Sequence, residues 1–256
     1  MSTLDDTPIQ RGLAGVVADS TAISHADAAA ATLTYRGYPG DELAERCRYE
    51  DVAYLLWTGE LPTPEQATAF SARERAARDL AAAAAGALRA LPAGAHPMDA
   101  LRTAISADGA AWAAAGRDDD ADDAAMRLLA LAPTVVAHTA RRRAGLEPIP
   151  PDDGLGLAAN FLQMCFGTPD GAIARAFEMS LILYAELGFN ASAFTARTVA
   201  STGADLHGAV VAAIAALAGP LHGGANEQVW TMMQAIGDPE AAPAWLRARL
   251  AGRRRV

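Results

Sequence analysis

The sequence predicts a mainly α-helical protein with a short β-hairpin at its N-terminus, and three observations carry that reading. Hydrophobic residues make up 52% of the chain but aromatic ones only 6%. Much of the difference is alanine, which combines the best helix propensity with little bulk. Helix-period stretches are separated by "GRDDDADD", "GLEPIPPDDG", "FGTPDG", "GPLHGG" and "GDPEAAP", each rich in residues that cap or break helices. Only the first forty residues depart from this pattern.

In that opening stretch, "GVVADSTAIS" and "ATLTYRGYPG" place β-branched residues and Tyr between Gly, Pro and Asp. Residues 1–40 are therefore expected as an N-terminal β segment and residues 41–256 as a helical unit. "YEDVAYLLWTGELPT" turns helical: Val52, Leu55 and Leu56 share one face, and Gly59 followed by Pro62 stops the run. Thr63-Pro64-Glu65-Gln66 supplies an N-cap with Pro at the first helical position, opening a long Ala-rich helix. Further helices are expected near 98–115, 122–144, 155–166, 170–187, 192–217, 224–236 and 240–251, with Gly203 placed to kink or split the one that contains it. The last reads as amphipathic, with Trp245, Leu246 and Leu250 toward the core and Arg near the end, where the helix dipole favours cations.

Charge and cysteine usage exclude several function classes. The formal net charge is −9, which argues against nucleic-acid binding, because that needs a basic face to displace counterions. Cys47 and Cys165 form no CxxC pattern, so a reducing cytoplasm is the expected home. No long uncharged apolar run is present and the start lacks the basic-then-apolar order of a signal peptide, so no membrane partner is expected.

Most motif matches dissolve on inspection. Gly154-Leu155-Gly156-Leu157-Ala158-Ala159 fits a loose G-x-G-x-x-A, but "EPIPPDD" before it cannot form the strand a dinucleotide site needs. Asp118, Asp120 and Asp122 alternate as in a calcium loop, yet Asp123 stands where Gly is required and Leu129 where the bidentate Glu belongs. None of the five histidines has metal-ligand spacing, and there is no GxSxG elbow. His222, in "GPLHGGANE", stands apart. Gly219-Pro220 ends one helix and Gly223-Gly224 opens the next without side-chain bulk, leaving room for a ligand to approach and for helix N–H groups to face an anion. An imidazole there can donate to a carbonyl oxygen as charge builds on it. The residues by themselves give a small-molecule site at a helix junction.

At these residues the sequence resembles the citrate synthase family, most of all its bacterial citrate/2-methylcitrate type. "LTYRGYPGDELAERCRYEDVAYLLWTGELPT", "HPMDALRTAISA", "AANFLQM", "NASAFTARTVASTGADLHGAVVAAIAALAGPLHGGANE" and "GDPEAAPAWLRARL" carry the likeness in order along essentially the whole chain. The resemblance implies a helical large domain, a homodimer, and condensation of acetyl-CoA or propionyl-CoA with oxaloacetate. It implies no cofactor, the acyl-CoA being a co-substrate. His222 would hydrogen-bond the thioester carbonyl, with Asn190 and Gly223 among the substrate-binding residues. Two departures stand out. Tyr184-Ala185-Glu186-Leu187-Gly188-Phe189-Asn190 puts Leu187 where the family has an oxaloacetate-binding histidine. The G-x-G-H-R-x-Y motif, the aspartate base and the arginines that clamp substrate are not among the 256 residues. The chain is therefore expected to be a truncated or partial form, without the family's small domain. The alternatives are a catalytically inactive dimerisation or regulatory protein, and an enzyme for a less polar 2-oxo acid.

Overall fold

The computed structural model describes residues 19–92, 94–117 and 120–251. Three short antiparallel strands come first, β1 (Ser24–Asp27), β2 (Thr32–Tyr35) and β3 (Tyr38–Pro39), paired in that order. Ser24 faces Tyr35 and Tyr35 faces Tyr38. The two-residue turn between β2 and β3 has positive φ at Arg36 (51°) and Gly37 (91°), the geometry that matches strand twist in a tight hairpin. Of the expected strand in "GVVADSTAIS", only the last residue, Ser24, belongs to β1, and residues up to Ala18 lie outside the described residues. Tyr35 is fully buried and its hydroxyl donates to the Ile182 carbonyl at 2.9 Å, which fastens the small sheet to the helical body.

Helices follow at once: α1 (Gly40–Arg46), α2 (Tyr49–Thr58), α3 (Pro64–Ala76), α4 (Ala82–Ala90), α5 (Pro97–Ala114) and α6 (Ala121–Arg143). Then come α7 (Leu157–Phe166), α8 (Gly171–Leu183), α9 (Ala191–Ala200), α10 (Leu206–Leu217), α11 (Gly224–Ile236) and, after a 3-10 turn at Pro239–Ala241, α12 (Ala242–Ala251). No helix among the described residues is long and apolar enough to cross a membrane. As the sequence indicates, Val52 and Leu55 of α2 are fully buried and Gly59 closes that helix at φ 98°. Thr63 caps α3 reciprocally with Gln66: the hydroxyl accepts from the Gln66 N–H and the Gln66 amide oxygen from the Thr63 N–H.

Two elements differ from expectation, each for a tertiary reason. The long helix from Thr63 breaks between Ala76 and Ala82, where the sequence has neither Gly nor Pro. Its carbonyls there find side-chain donors on α6 instead of helical N–H groups. Arg127 donates to the carbonyls of Ala77 and Asp79, both at 2.7 Å, and Thr134 to that of Arg78 at 2.9 Å. Arg78 itself, 1% exposed, turns inward to Glu74 at 2.6 Å and to the Asp152 carbonyl at 2.8 Å. The helix expected over 170–187 stops at Leu183, where the chain is held by Tyr35 and by the Glu186 carboxylate, which accepts from Ser24 Oγ at 3.2 Å. The 192–217 stretch is split at Gly203, as its sequence indicates, with that residue at φ 80° and Asp205 recapping α10 through the Gly208 N–H at 2.7 Å.

The principal core lies where α5 and α6 meet α4 and α10, with Ala84, Leu88, Ala104, Ile105, Leu131 and Val135 at its centre. Small residues there let helices come close. A Cβ on Gly109 of α5 would sit 2.6 Å from the Cβ of His207 on α10. Beside that crossing, Arg127 makes a two-pronged pair with Asp108 at 2.6 and 3.1 Å, and His207 Nε2 lies 3.4 Å from the same carboxylate. Burial pushes the Asp108 pKa upward, but the neighbouring His207 imidazole and the Arg127 guanidinium, with its two hydrogen bonds, outweigh it and bring it to about 2. The C-terminal helix is present as expected, but Leu246 and Leu250 do not reach a core. No residue of α9, α11 or α12 is buried, because no described element packs over their outer faces.

Candidate functional site at the α9 and α10–α11 junctions

The site is assembled from two helix junctions. At the first, Asn190 has extended backbone angles and its side-chain oxygen accepts from the Ala193 N–H at 2.9 Å, so it starts α9 as an N-cap. At the second, α10 ends at Leu217 and the chain reverses through Gly219-Pro220-Leu221-His222-Gly223 into α11. The Gly219 carbonyl accepts from both the His222 and Gly224 N–H groups, at 3.0 and 3.1 Å. Gln228 holds the turn from α11, donating to the Pro220 carbonyl at 3.3 Å.

The glycines of this turn serve the chain's own packing. A Cβ on Gly223 would lie 2.5 Å from the Leu217 carbonyl oxygen, and one on Gly224 3.0 Å from that of Gly219. The first N–H groups of α11 are also occupied: Gly224 donates to Gly219, Ala225 to His222 and Asn226 to Gly223. An anion-binding helix start, one expectation from the sequence, is therefore not what the turn offers. What it presents is the imidazole of His222, half-buried beside the fully displayed Leu221.

Ser192, in the first turn of α9, joins the two junctions. Its hydroxyl lies 2.8 Å from His222 Nε2 and 2.7 Å from Asn190 Oδ1. A hydroxyl has one proton, so two arrangements exist. With the proton aimed at Asn190, Nε2 of His222 must carry its own hydrogen and Nδ1 is an acceptor. With the proton aimed at Nε2, the imidazole hydrogen moves to Nδ1, which is then the ring's donor. The second arrangement is the one that can polarise a carbonyl. Ser192 closes the Asn190-Ala191-Ser192 motif. No local pattern reveals that a serine will meet a histidine thirty positions on.

Asn190, Gly223 and His222 are thus drawn into one small region around Ser192. Leu187 is 52% exposed and precedes Gly188, whose φ of 71° turns the chain toward Asn190. Its neighbour Glu186 faces away, toward Ser24 and the Gly188 N–H. A cleft of ≈ 490 Å³ opens on the α11 side of the turn, between Pro220, Gly224, Glu227 and Gln228 and the Trp245 and Arg249 side chains of α12. Another, of ≈ 450 Å³, lies among α3, α5 and α6 around Trp112 and shares no lining residue with the His222 turn.

The family model described as "Citrate synthase, C-terminal domain" matches residues 12–256. The chain is 53% identical to the 2-methylcitrate synthase of Mycobacterium tuberculosis, covering 99% of this chain and 65% of that protein. It is 51% identical to the citrate synthase of Mycolicibacterium smegmatis, covering 97% of this chain and 67% of the relative. Among solved structures, citrate synthase from Thermotoga maritima superposes with a TM-score of 0.85 at 36% identity, over 97% of this chain and 66% of that one. Citrate synthase from Thermoplasma acidophilum, solved as a ternary complex with carboxymethyl coenzyme A and oxaloacetate, gives 0.87 at 25% identity, over 96% and 65%. The chain thus spans 65% of the length of the first of these relatives.

Proposed function

Because the chain belongs to the citrate synthase family, we propose that it provides the carbonyl-polarising half of an acyl-CoA:2-oxo acid C-acyltransferase. The substrates are acetyl-CoA or propionyl-CoA with oxaloacetate, the products citrate or 2-methylcitrate and free CoA. The observation that carries this reading is the 2.8 Å contact between Ser192 Oγ and His222 Nε2, which holds the imidazole by one nitrogen.

In the mechanism, Ser192 donates to Nε2 and so keeps the hydrogen on Nδ1 of His222. That N–H donates to the thioester carbonyl as a base removes a proton from the α-carbon, and the enol oxygen is stabilised where its charge builds. The α-carbon then bonds to the ketone carbon of oxaloacetate, whose oxygen takes up a proton. Water cleaves the thioester and CoA leaves as a thiol. Asn190 caps α9, whose first turn carries Ser192, and Gly223 lets the turn close against Leu217. The base and the arginines that the reaction requires correspond to residues not among the 256. No cofactor is assigned, since the acyl-CoA is a co-substrate. Residues 41–256 stand for the family's large helical domain behind an N-terminal β segment. The protein acts in the cytoplasm as a homodimer, paired through the small-residue faces of α5, α9 and α10. Light scattering at micromolar concentration is expected to give twice the chain mass, and a monomer mass rejects that assembly.

A second reading rests on Leu187. Leucine cannot donate to a carboxylate, so an oxaloacetate carboxylate beside it is poorly compensated. A less polar 2-oxo acid, or a role in assembly without catalysis, fits that side chain better.

Thiol release distinguishes these readings. The 256-residue chain alone is expected to show negligible turnover. Fused to the remaining C-terminal third of the M. tuberculosis relative, it is expected to release CoA from one of the two acyl-CoAs. In that fusion His222→Ala should lower kcat about 10²–10³-fold, the usual effect of removing a donor to a developing oxyanion. Ser192→Ala should lower it about tenfold with little change in KM, because the donor remains but its tautomer is no longer held. Leu187→His should improve use of oxaloacetate. A folded fusion without turnover on oxaloacetate or a less polar 2-oxo acid rejects the catalytic reading.

A further inference from the structure

A small cavity of ≈ 120 Å³ lies far along the sequence from the His222 turn, where the last turn of α6 meets the end of α4 and the link to α5. Its walls include Leu88, Leu91, Ala95, Thr139, Arg142 and Arg143. Three features set it apart from an ordinary helix end.

The first is charge. Arg142 and Arg143 have no carboxylate within ion-pair distance among the described residues, and neither has Arg89 on the adjacent helix α4. This is unusual company in a chain of net charge −9. Among the described residues each of the two lining arginines makes one hydrogen bond, Arg142 to the Leu88 carbonyl at 2.8 Å and Arg143 to the Ala95 carbonyl at 2.6 Å. A guanidinium has five N–H donors in a fixed fork, so both retain donors after holding the cavity's edges in place.

The second feature is the Thr139 hydroxyl. It is buried in the same wall and has no hydrogen-bond partner among the described residues, as is also true of Nε2 on the neighbouring His138. Buried polar groups in native proteins are normally satisfied, and an orphan beside a cavity points to something that enters it. Burial first, then the charges of Arg142 and Arg89, hold His138 below the ordinary histidine range, so the field around this corner is positive. The third is size. The space of ≈ 120 Å³ admits a group as small as one phosphorus or sulfur with four oxygens.

We propose that this cavity is an oxyanion site that takes one phosphate, free or as the terminal phosphoryl group of a larger metabolite, with Arg142 and Arg143 as a fork on its oxygens and Thr139 donating from the wall. Bound there, the anion ties the α4–α5 link to α6, so binding stabilises the fold. This inference does not depend on the catalytic reading.

The test is calorimetric titration and thermal unfolding of the 256-residue chain with inorganic phosphate, ionic strength being held constant with sodium chloride. A saturable, one-to-one response in the millimolar range or tighter is expected. Thr139→Val should keep the unliganded Tm and weaken binding several-fold. Arg142→Gln with Arg143→Gln should weaken it at least tenfold. Arg143→Lys, which keeps the charge but not the fork, guards against loss of folding in the double variant and should weaken binding to an intermediate degree. Competition by AMP assigns the site to a phosphoryl group on a larger molecule, and its absence to the free ion. A Tm that rises equally with chloride, or phosphate binding unchanged in the Arg142/Arg143 variant, overturns the proposal.

Discussion

Asp108 shows how much a single residue can hold. It is 3% exposed, pairs with Arg127 through two hydrogen bonds and faces His207, so it binds α5, α6 and α10 at one point. Asp108→Asn leaves the Arg127 guanidinium buried without its counter-charge. The expected cost is about 3–5 kcal/mol, the usual result of breaking a buried pair from one side, measured by urea unfolding at pH 7. An unfolded aspartate titrates near ~3.9, while Asp108 in the fold titrates at about 2. The folded state thus binds fewer protons between those values. The stabilisation is complete above that range and is lost as pH falls through it, so the gap between wild type and variant should narrow from pH 4 to pH 2. Little of this was visible in advance. His222 and Asn190 announce themselves by their motifs, but Asp108, Arg127 and Ser192 look like ordinary helix residues until the fold supplies their partners from other helices.

At the level of elements, the turn between α10 and α11 is governed by one glycine. Gly223 has φ −61° and ψ −28°, angles open to any residue, so its requirement is purely steric. Gly223→Ala drives a Cβ into the Leu217 carbonyl, 2.5 Å away, and the turn must open to admit it. Loss of the His222–Ser192 hydrogen bond is expected, with a shift of the His222 imidazole resonances in nitrogen-15 spectra. Gly219→Ala, whose Cβ would meet the Ala216 carbonyl at 3.2 Å, should perturb them less. Element starts were the most legible part of the chain, because capping is local: Thr63 with Pro64 begins α3 where the sequence says it must. Ends and breaks were legible only where Gly stands, as at Gly59 and Gly203. The stop at Leu183 and the break after Ala76 depend on side chains from distant segments, which no local pattern encodes.

For the whole molecule, the decisive contrast is between a dense centre and an open C-terminal side. Ile105, Leu131 and Val135 are fully buried, whereas Leu221, Trp230, Met233 and Leu250 are 85%, 62%, 57% and 58% exposed. Local stability follows buried contact. Backbone amides of α11 and α12 are therefore expected to exchange with deuterium well before those of α5 and α6 in the 256-residue chain. Equal protection across these helices contradicts that order. The helical class was readable from periodicity and alanine content, since both report how a segment folds against any apolar neighbour. The bareness of α12 was not, because Trp245, Leu246 and Leu250 form an apolar stripe whether or not something lies over it.

The break after Ala76 has a consequence for synthesis. Residues 76–82 contain neither Gly nor Pro to interrupt a helix, and the donors that hold the break open, Arg127 and Thr134, are translated about fifty residues after it. N-terminal segments emerge and begin to fold first. The growing polypeptide therefore carries α3 and α4 before anything can hold the carbonyls of Ala77, Arg78 and Asp79. The angle between those helices can be fixed only once α6 has left the ribosome, so it is among the later features of the fold to be set.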